Sequence, residues 1–220
     1  MGWRWWGGAR LPLAFIGLGL GALALAVGSV AMRPEVLLLP YQHPWVVALA
    51  HLWLPGFLLS VCFGAVYQLM PVVLGASLRL PLVAAWAHLG LHAGGVALLV
   101  GGFATGRFEL VAAGGGAVTL GAGAILAGTW RTFLEATRRD AIAWSFPAAV
   151  SWLGATLLFG VMLALNRRAP FLPWSMVDLL RAHAHVGLAG FFLTLLQGAT
   201  FQLVPMFTMA DLRGAACVRA

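Results

Sequence analysis

The chain contains no lysine, only two cysteines and few charged residues of any kind. Charged residues make up 9% of its 220 residues, whereas a soluble domain carries about a quarter. All 13 basic residues are therefore arginines, which excludes a phosphate-binding P-loop, because that motif needs a lysine. Cys62 lies inside an apolar run and Cys217 in the tail, so no disulfide framework is expected.

Apolar residues dominate what remains: they make up 62% of the chain, and the mean hydropathy is +0.95. Roughly 20 apolar residues cross a bilayer, and six runs of about this length are present. In hydrocarbon they must be helices, because backbone groups have to pair internally. The sequence thus predicts an all-α membrane protein, one integral membrane domain over 1–220, with spans at about 11–32, 45–72, 82–104, 108–130, 142–165 and 183–208.

The charge of +7 belongs to the flanks of these spans, and no folded basic face for nucleic acid is expected. The most charged predicted loops are 131–140 and 166–181. Counting arginines gives eight on one side and five on the other, which predicts that both termini are cytoplasmic. The exclusive use of arginine over lysine indicates a prokaryotic cytoplasmic membrane. Arg4 and Arg10 precede the first span as in a signal peptide, but no clear cleavage site follows, so we expect a retained helix.

The second and sixth spans repeat each other at a constant offset in numbering, without a gap. Each begins near a histidine, His51 or His185, and each has a proline at the same distance further on, Pro71 or Pro205. Eight identities lie between these marks: Leu54, Gly56, Phe57, Leu59, Gly64, Ala65, Gln68 and Leu69 match Leu188, Gly190, Phe191, Leu193, Gly198, Ala199, Gln202 and Leu203. Histidines at the same depth on two parallel helices suit axial ligation of a haem iron.

Three further histidines lie within predicted spans. His183 precedes His185 by two residues, and this separation turns its side chain about 200° around the helix axis, so the two serve either two different sites or one site and one hydrogen bond. His88 and His92 are four residues apart and share one face of the third span, as a metal-binding pair would. Histidine in a membrane marks a functional site by default, although bonding between helices is the alternative. His43, in a loop, is read as an interfacial residue.

The segment from His183 to Pro205 resembles the tenth helix of subunit I of the haem-copper oxidases, the superfamily of cytochrome c oxidase and nitric oxide reductase. The family helix has a His-X-His pair, followed at fixed distances by a glycine and a proline. Gly198 and Pro205 stand at those same distances from His185. The segment from His51 to Pro71 resembles the family's second helix.

The resemblance implies oxidase-like helical arcs, in which equivalent helices recur every four spans, as the second and sixth do here. It implies His51 and His185 as axial ligands of one low-spin haem b, and His183 as a ligand of a second haem. Arg167 and Arg168 correspond to an arginine pair that holds haem propionates; a membrane-flank role is the alternative. The family has roughly twice as many spans, and its adjacent His-His pair and His-X-X-X-Tyr motif for copper are absent from this sequence.

These features predict a membrane b-type haem protein that transfers electrons, with a second haem or metal site for O2 or NO as an extension. Whether it is an enzyme stays open, and no catalytic residue is assigned. Copper at His88 and His92 would replace part of the family's metal site. The alternative is a non-catalytic protein that binds haem, copper or nitric oxide or assists oxidase assembly. We expect lipid contact and a homodimer, and a redox partner or quinone as electron source.

Overall fold

The structure is a computed structural model that describes residues 9–209, except for the side chain of Arg168. Within that range the chain is all-α, and six helices are long and apolar enough to cross a membrane, as predicted. They are α1 (Arg10–Met32), α2 (Pro44–Leu74), α3 (Leu82–Thr105), α4 (Phe108–Glu135), α5 (Ala141–Arg168) and α6 (Met176–Thr208). A short 3-10 helix, Pro34–Leu38, lies between α1 and α2.

The helices extend beyond the predicted spans, and the prediction of loops over 131–140 and 166–181 was wrong at their edges. Helix α4 continues to Glu135 and α5 to Arg168, while α6 already begins at Met176. The reason for the early start is a capping residue: the Ser175 hydroxyl accepts a hydrogen bond from the Asp178 N–H at 3.2 Å, which satisfies a free donor of the first turn. Polar residues thus continue the helices outside the apolar core.

The sequence repeat is also a backbone repeat. Directly after His51, α2 passes through a π-helical segment, Leu52–Leu59, and then returns to α-helix over Ser60–Leu74. Directly after His185, α6 does the same over Val186–Leu193 and Thr194–Thr208. Each boundary is displaced by the same offset as the sequence match, so both copies have the same internal geometry.

The two copies also end alike. Gly75, which follows α2, is left-handed with φ 62°, and Met209, its equivalent after α6, is left-handed with φ 49°. Both α2 and α6 run from a histidine end of the bundle, which carries His51 and His185, to a proline end, which carries Pro71 and Pro205. Both prolines lie inside helices.

Each copy packs against an antiparallel neighbour through glycine. In the first copy, a Cβ on Gly64 would lie 2.8 Å from the Pro12 carbonyl oxygen of α1. In the second, a Cβ on Gly190 would lie 3.0 Å from the Trp152 ring of α5. Small residues let membrane helices approach this closely. Each copy of the repeated helix thus has an antiparallel partner, α1 for α2 and α5 for α6. Helices α3 and α4 lie between these two pairs in the chain.

Helices α3 and α4 also pack through glycine: a Cβ on Gly95 would lie 2.8 Å from the Gly114 carbonyl oxygen, and a Cβ on Gly114 would lie 2.6 Å from the Gly95 carbonyl oxygen. The main core lies toward the proline end and contains Phe15, Phe63, Phe133, Phe146 and Phe191 among its buried residues. There, Arg138 joins the two copies, because its guanidinium donates to the Val73 carbonyl at 3.4 Å and to the Gln202 side chain at 2.8 Å. The repeated helices are therefore held together at the end opposite their histidines.

Candidate functional site

His51 has a defined protonation pattern. Its Nδ1 lies 2.8 Å from the Val47 carbonyl oxygen, one turn earlier in α2. A carbonyl only accepts hydrogen bonds, so Nδ1 carries the proton and the neutral ring keeps its lone pair on Nε2. The ring is half-buried and lies 4.8 Å from the Phe103 ring of α3, centroid to centroid. His51 is thus oriented with Nε2 as the nitrogen that can accept a ligand.

His185 has the same pattern on the other copy. Its Nδ1 lies 2.8 Å from the Arg181 carbonyl oxygen, again one turn earlier, which leaves the lone pair on Nε2 by the same argument. Val47 and Arg181 are themselves related by the repeat offset. The difference is exposure, because His185 is exposed at the surface of the protein. In the part of the chain that is described, no hydrogen bond or ring contact joins His51 to His185.

His183 faces a different way from His185, as the spacing predicts. Its ring packs on α5, where a Cβ on Gly160 would lie 3.0 Å from the His183 Cε1 atom, and its centroid is 6.1 Å from that of Phe159. Its Nδ1 is buried and has no hydrogen-bond partner among the described residues. The described contacts of His183 are therefore with α5, whereas His185 lies exposed on another side of α6.

The predicted arginine pair lies at the end of α5 and not in a loop. The Arg167 guanidinium carbon is 4.5 Å from the centroid of the Phe108 ring, at the start of α4, a cation–π distance. The Arg168 side chain lies outside the described residues. Arg167 belongs to the histidine end, where α5 ends and α6 begins. His43, read from sequence as interfacial, caps α2 by accepting from the Trp45 N–H at 3.3 Å.

His88 and His92 lie on one face of α3, as predicted, and are completely buried at 1% and 0% exposure. Both have partners on α2 that the sequence reasoning missed. His88 Nδ1 is 2.9 Å from the Tyr67 hydroxyl, and His92 Nε2 is 2.9 Å from the Ser60 hydroxyl. These partners stand where the two copies differ, because Tyr67 matches Phe201 and Ser60 matches Thr194. About half of the positions between His51 and Pro71 differ from their equivalents in the second copy, so the repeat gave no specific signal for these partners.

The described residues contain no group of three or more His, Cys, Asp or Glu side chains that is arranged to hold a metal. Haem needs only two axial protein ligands, and His51 and His185 fit that role in their protonation and in the carbonyl that orients each ring. No family model, curated protein or solved structure matches this chain.

Proposed function

We propose that this chain is a membrane b-type haem protein, a short six-helix relative of haem-copper oxidase subunit I, in which His51 and His185 are the axial ligands of one low-spin haem. The observation that supports this most directly is the matched state of the two imidazoles. Each donates from Nδ1 to the carbonyl four residues earlier at 2.8 Å. Metal-binding histidines are oriented in this way, with the second nitrogen left for the metal.

The surroundings at the histidine end agree with this role. Phe103 covers one side of the His51 ring, and an apolar contact of this kind suits a porphyrin edge. Arg167 lies at the same end of the bundle and offers a guanidinium, which pairs well with a propionate carboxylate. A haem at this position supplies one-electron redox chemistry, while the protein supplies the ligands and the electrostatic environment. With both axial positions taken by histidine, the proposed activity is electron transfer.

The first test is the reduced absorbance spectrum of the purified protein together with a pyridine haemochrome assay. We expect about one haem b per chain with a low-spin spectrum, and loss of that spectrum in His51→Ala and in His185→Ala. His43→Ala is the matched control, because His43 caps α2 through its contact with the Trp45 N–H and is not one of the proposed ligands, and it should keep the haem. A protein from haem-replete membranes without haem, or single variants with an unchanged low-spin spectrum, would contradict the proposal.

A second candidate is a protein that binds haem, copper or nitric oxide, or that assists oxidase assembly, without turnover. The buried Nδ1 of His183, which has no partner among the described residues, supports it. A haem held by His183 alone would have an open axial position on its other side. Carbon monoxide distinguishes the two candidates. A Soret shift in the wild type that disappears in His183→Ala would favour an open site on His183, whereas an unchanged Soret band favours bis-histidine haem alone.

We further propose a prokaryotic cytoplasmic membrane as the location, with both termini cytoplasmic, a homodimeric state, and a redox protein or quinone as electron donor. The arginine distribution supports the orientation. The exposed surface of α6 supports association, because it places His185 at the outside of the bundle. Crosslinking in native membranes should give a dimer, and a result of monomer alone would contradict the dimeric state.

A further inference from the structure

A second candidate site lies among α1, α2 and α3, away from the proposed haem ligands. His88 and His92 have ring centroids 6.1 Å apart and are enclosed by aromatic rings. The Phe63 centroid is 4.4 Å from that of His88 and 5.2 Å from that of His92, and Phe15 lies 5.0 Å from His88. Each histidine has one buried nitrogen without a partner among the described residues, Nε2 of His88 and Nδ1 of His92. Buried polar atoms of this kind are rare in proteins.

The protonation of His92 follows from its neighbour. The Ser60 hydroxyl has a single hydrogen, which it donates to the Gly56 carbonyl at 2.6 Å. Toward His92 the Ser60 oxygen can therefore only accept, so His92 Nε2 carries the proton and donates it across 2.9 Å. In the neutral ring the other nitrogen, Nδ1, is left with a lone pair. A buried lone pair without a donor can be satisfied by a Lewis acid.

His88 can adopt the matching state. Its Nδ1 pairs with the Tyr67 hydroxyl at 2.9 Å, and a tyrosine oxygen accepts as well as donates. When His88 donates from Nδ1, its lone pair lies on the buried Nε2. Each ring is then oriented by a hydroxyl on α2, which is the outer-shell support that metal-binding histidines have. The spacing of four residues places both rings on the same face of α3.

The available donors restrict the ion. Two neutral imidazoles suit copper, zinc, iron or nickel, but zinc prefers four ligands, and the described residues provide no third His, Cys, Asp or Glu to the group. An apolar core without a carboxylate also penalises each additional charge on the ion. A singly charged closed-shell ion that accepts two ligands meets both conditions.

We propose that His88 Nε2 and His92 Nδ1 bind one copper(I) ion as a two-coordinate site in the core of the bundle. The site is independent of the haem proposal, because it shares no residue with His51 or His185. The ion would connect two successive turns of α3. It would lie next to the Tyr67–His88 and Ser60–His92 contacts that join α3 to α2. Its removal should therefore loosen the packing of α2 against α3 without affecting the haem ligands.

The direct test uses the full-length, metal-free protein in detergent under anaerobic, reducing conditions. Copper(I) is added against a chromogenic copper(I) chelator, and the loaded sample is examined by X-ray absorption at the copper edge. We expect one copper per chain, with two nitrogen scatterers that show the outer-shell pattern of imidazole. Silver(I), a redox-inert probe, should compete for the same site. No copper retained against the chelator, or a sulfur scatterer that points to Cys62, would overturn the proposal.

Variants locate the ion and separate this proposal from the first one. His88→Leu and His92→Leu should each abolish binding, whereas a His51→Ala/His185→Ala double variant should lose haem and keep copper. Tyr67→Phe preserves the core shape and should weaken copper affinity by about 10- to 100-fold, the usual effect of removing an outer-shell partner. If the leucine variants fail to fold, the copper affinity of Tyr67→Phe and the X-ray absorption spectrum of the wild type test the proposal instead. Unchanged copper binding in a folded His92→Leu protein would refute the assignment.

Discussion

Helices α2 and α6 have the same backbone but different surroundings. Both helices have a π segment, a histidine-to-carbonyl hydrogen bond and a left-handed end residue, and each of these lies at equivalent positions of the repeat. In α2, helices α1 and α3 both pack around Ser60 and Tyr67, which are buried and bonded to histidines of α3. The equivalent Thr194 is half-buried and Phe201 is exposed. The two copies thus share their backbone shape, whereas the neighbouring helices determine which equivalent positions are buried.

Alanine substitutions at glycines in the helix contacts should have the largest effect on stability. Gly198→Ala should destabilise the protein by about 1–3 kcal/mol through overpacking, because a Cβ there overlaps the Ser145 side chain, including its own Cβ. Gly56→Ala should cost much less, since its nearest neighbour is the Ala22 methyl at 3.1 Å. Thermal unfolding in detergent measures both. Equal losses would show that the Ser145 contact does not make Gly198 the tighter of the two positions.

Substitutions at the equivalent residues Tyr67 and Phe201 should give the next largest effect on stability. Tyr67→Phe leaves His88 Nδ1 without its partner and should cost about 1–3 kcal/mol, the range for a buried unsatisfied group. Phe201→Tyr places a hydroxyl on an exposed ring, 37% accessible, and should change stability by less than about 0.5 kcal/mol. The free energy of unfolding in the same detergent compares them directly. A costly Phe201→Tyr would mean that this part of α6 is covered by a partner.

The helix ends should give the smallest effect. Gly75→Ala places a Cβ on a left-handed residue and should cost about 1–2 kcal/mol. Met209→Gly relieves the same conformation in the second copy and should stabilise the protein by less than about 1 kcal/mol. Opposite signs in matched thermal scans are the expected result. A destabilising Met209→Gly would show that contacts of the methionine side chain outweigh its backbone conformation.

Much of the fold followed from sequence. The number of spans and the register of the repeat were correct, because both depend on local hydropathy and identity. The π segments were not predicted. Pro55 lies in the first of them, but its equivalent in the second is Ala189, so proline is not the cause, and no local pattern marked them. The end of α5 and the start of α6 were misplaced because polar residues there were read as loop.

The candidate sites were predicted unequally. The shared face of His88 and His92 follows from helical spacing alone, and the structure has it. The contacts of these histidines with Tyr67 and Ser60 depend on how α3 docks against α2, which composition does not determine. The opposite facing of His183 and His185 was correct for the same local reason. The pairing of His51 with His185 around a haem depends on tertiary geometry and a cofactor, and it stays a prediction.

The π segments have a consequence for comparing this chain with other sequences. One extra residue in a turn rotates everything after it by roughly 100° relative to an unbroken α-helix. A helical wheel drawn through all of Pro44–Leu74 or Met176–Thr208 would therefore assign lipid and protein faces wrongly for one half of each span. An insertion or deletion of one residue between His51 and Ser60 should be read as the gain or loss of that rotation, and not as alignment noise.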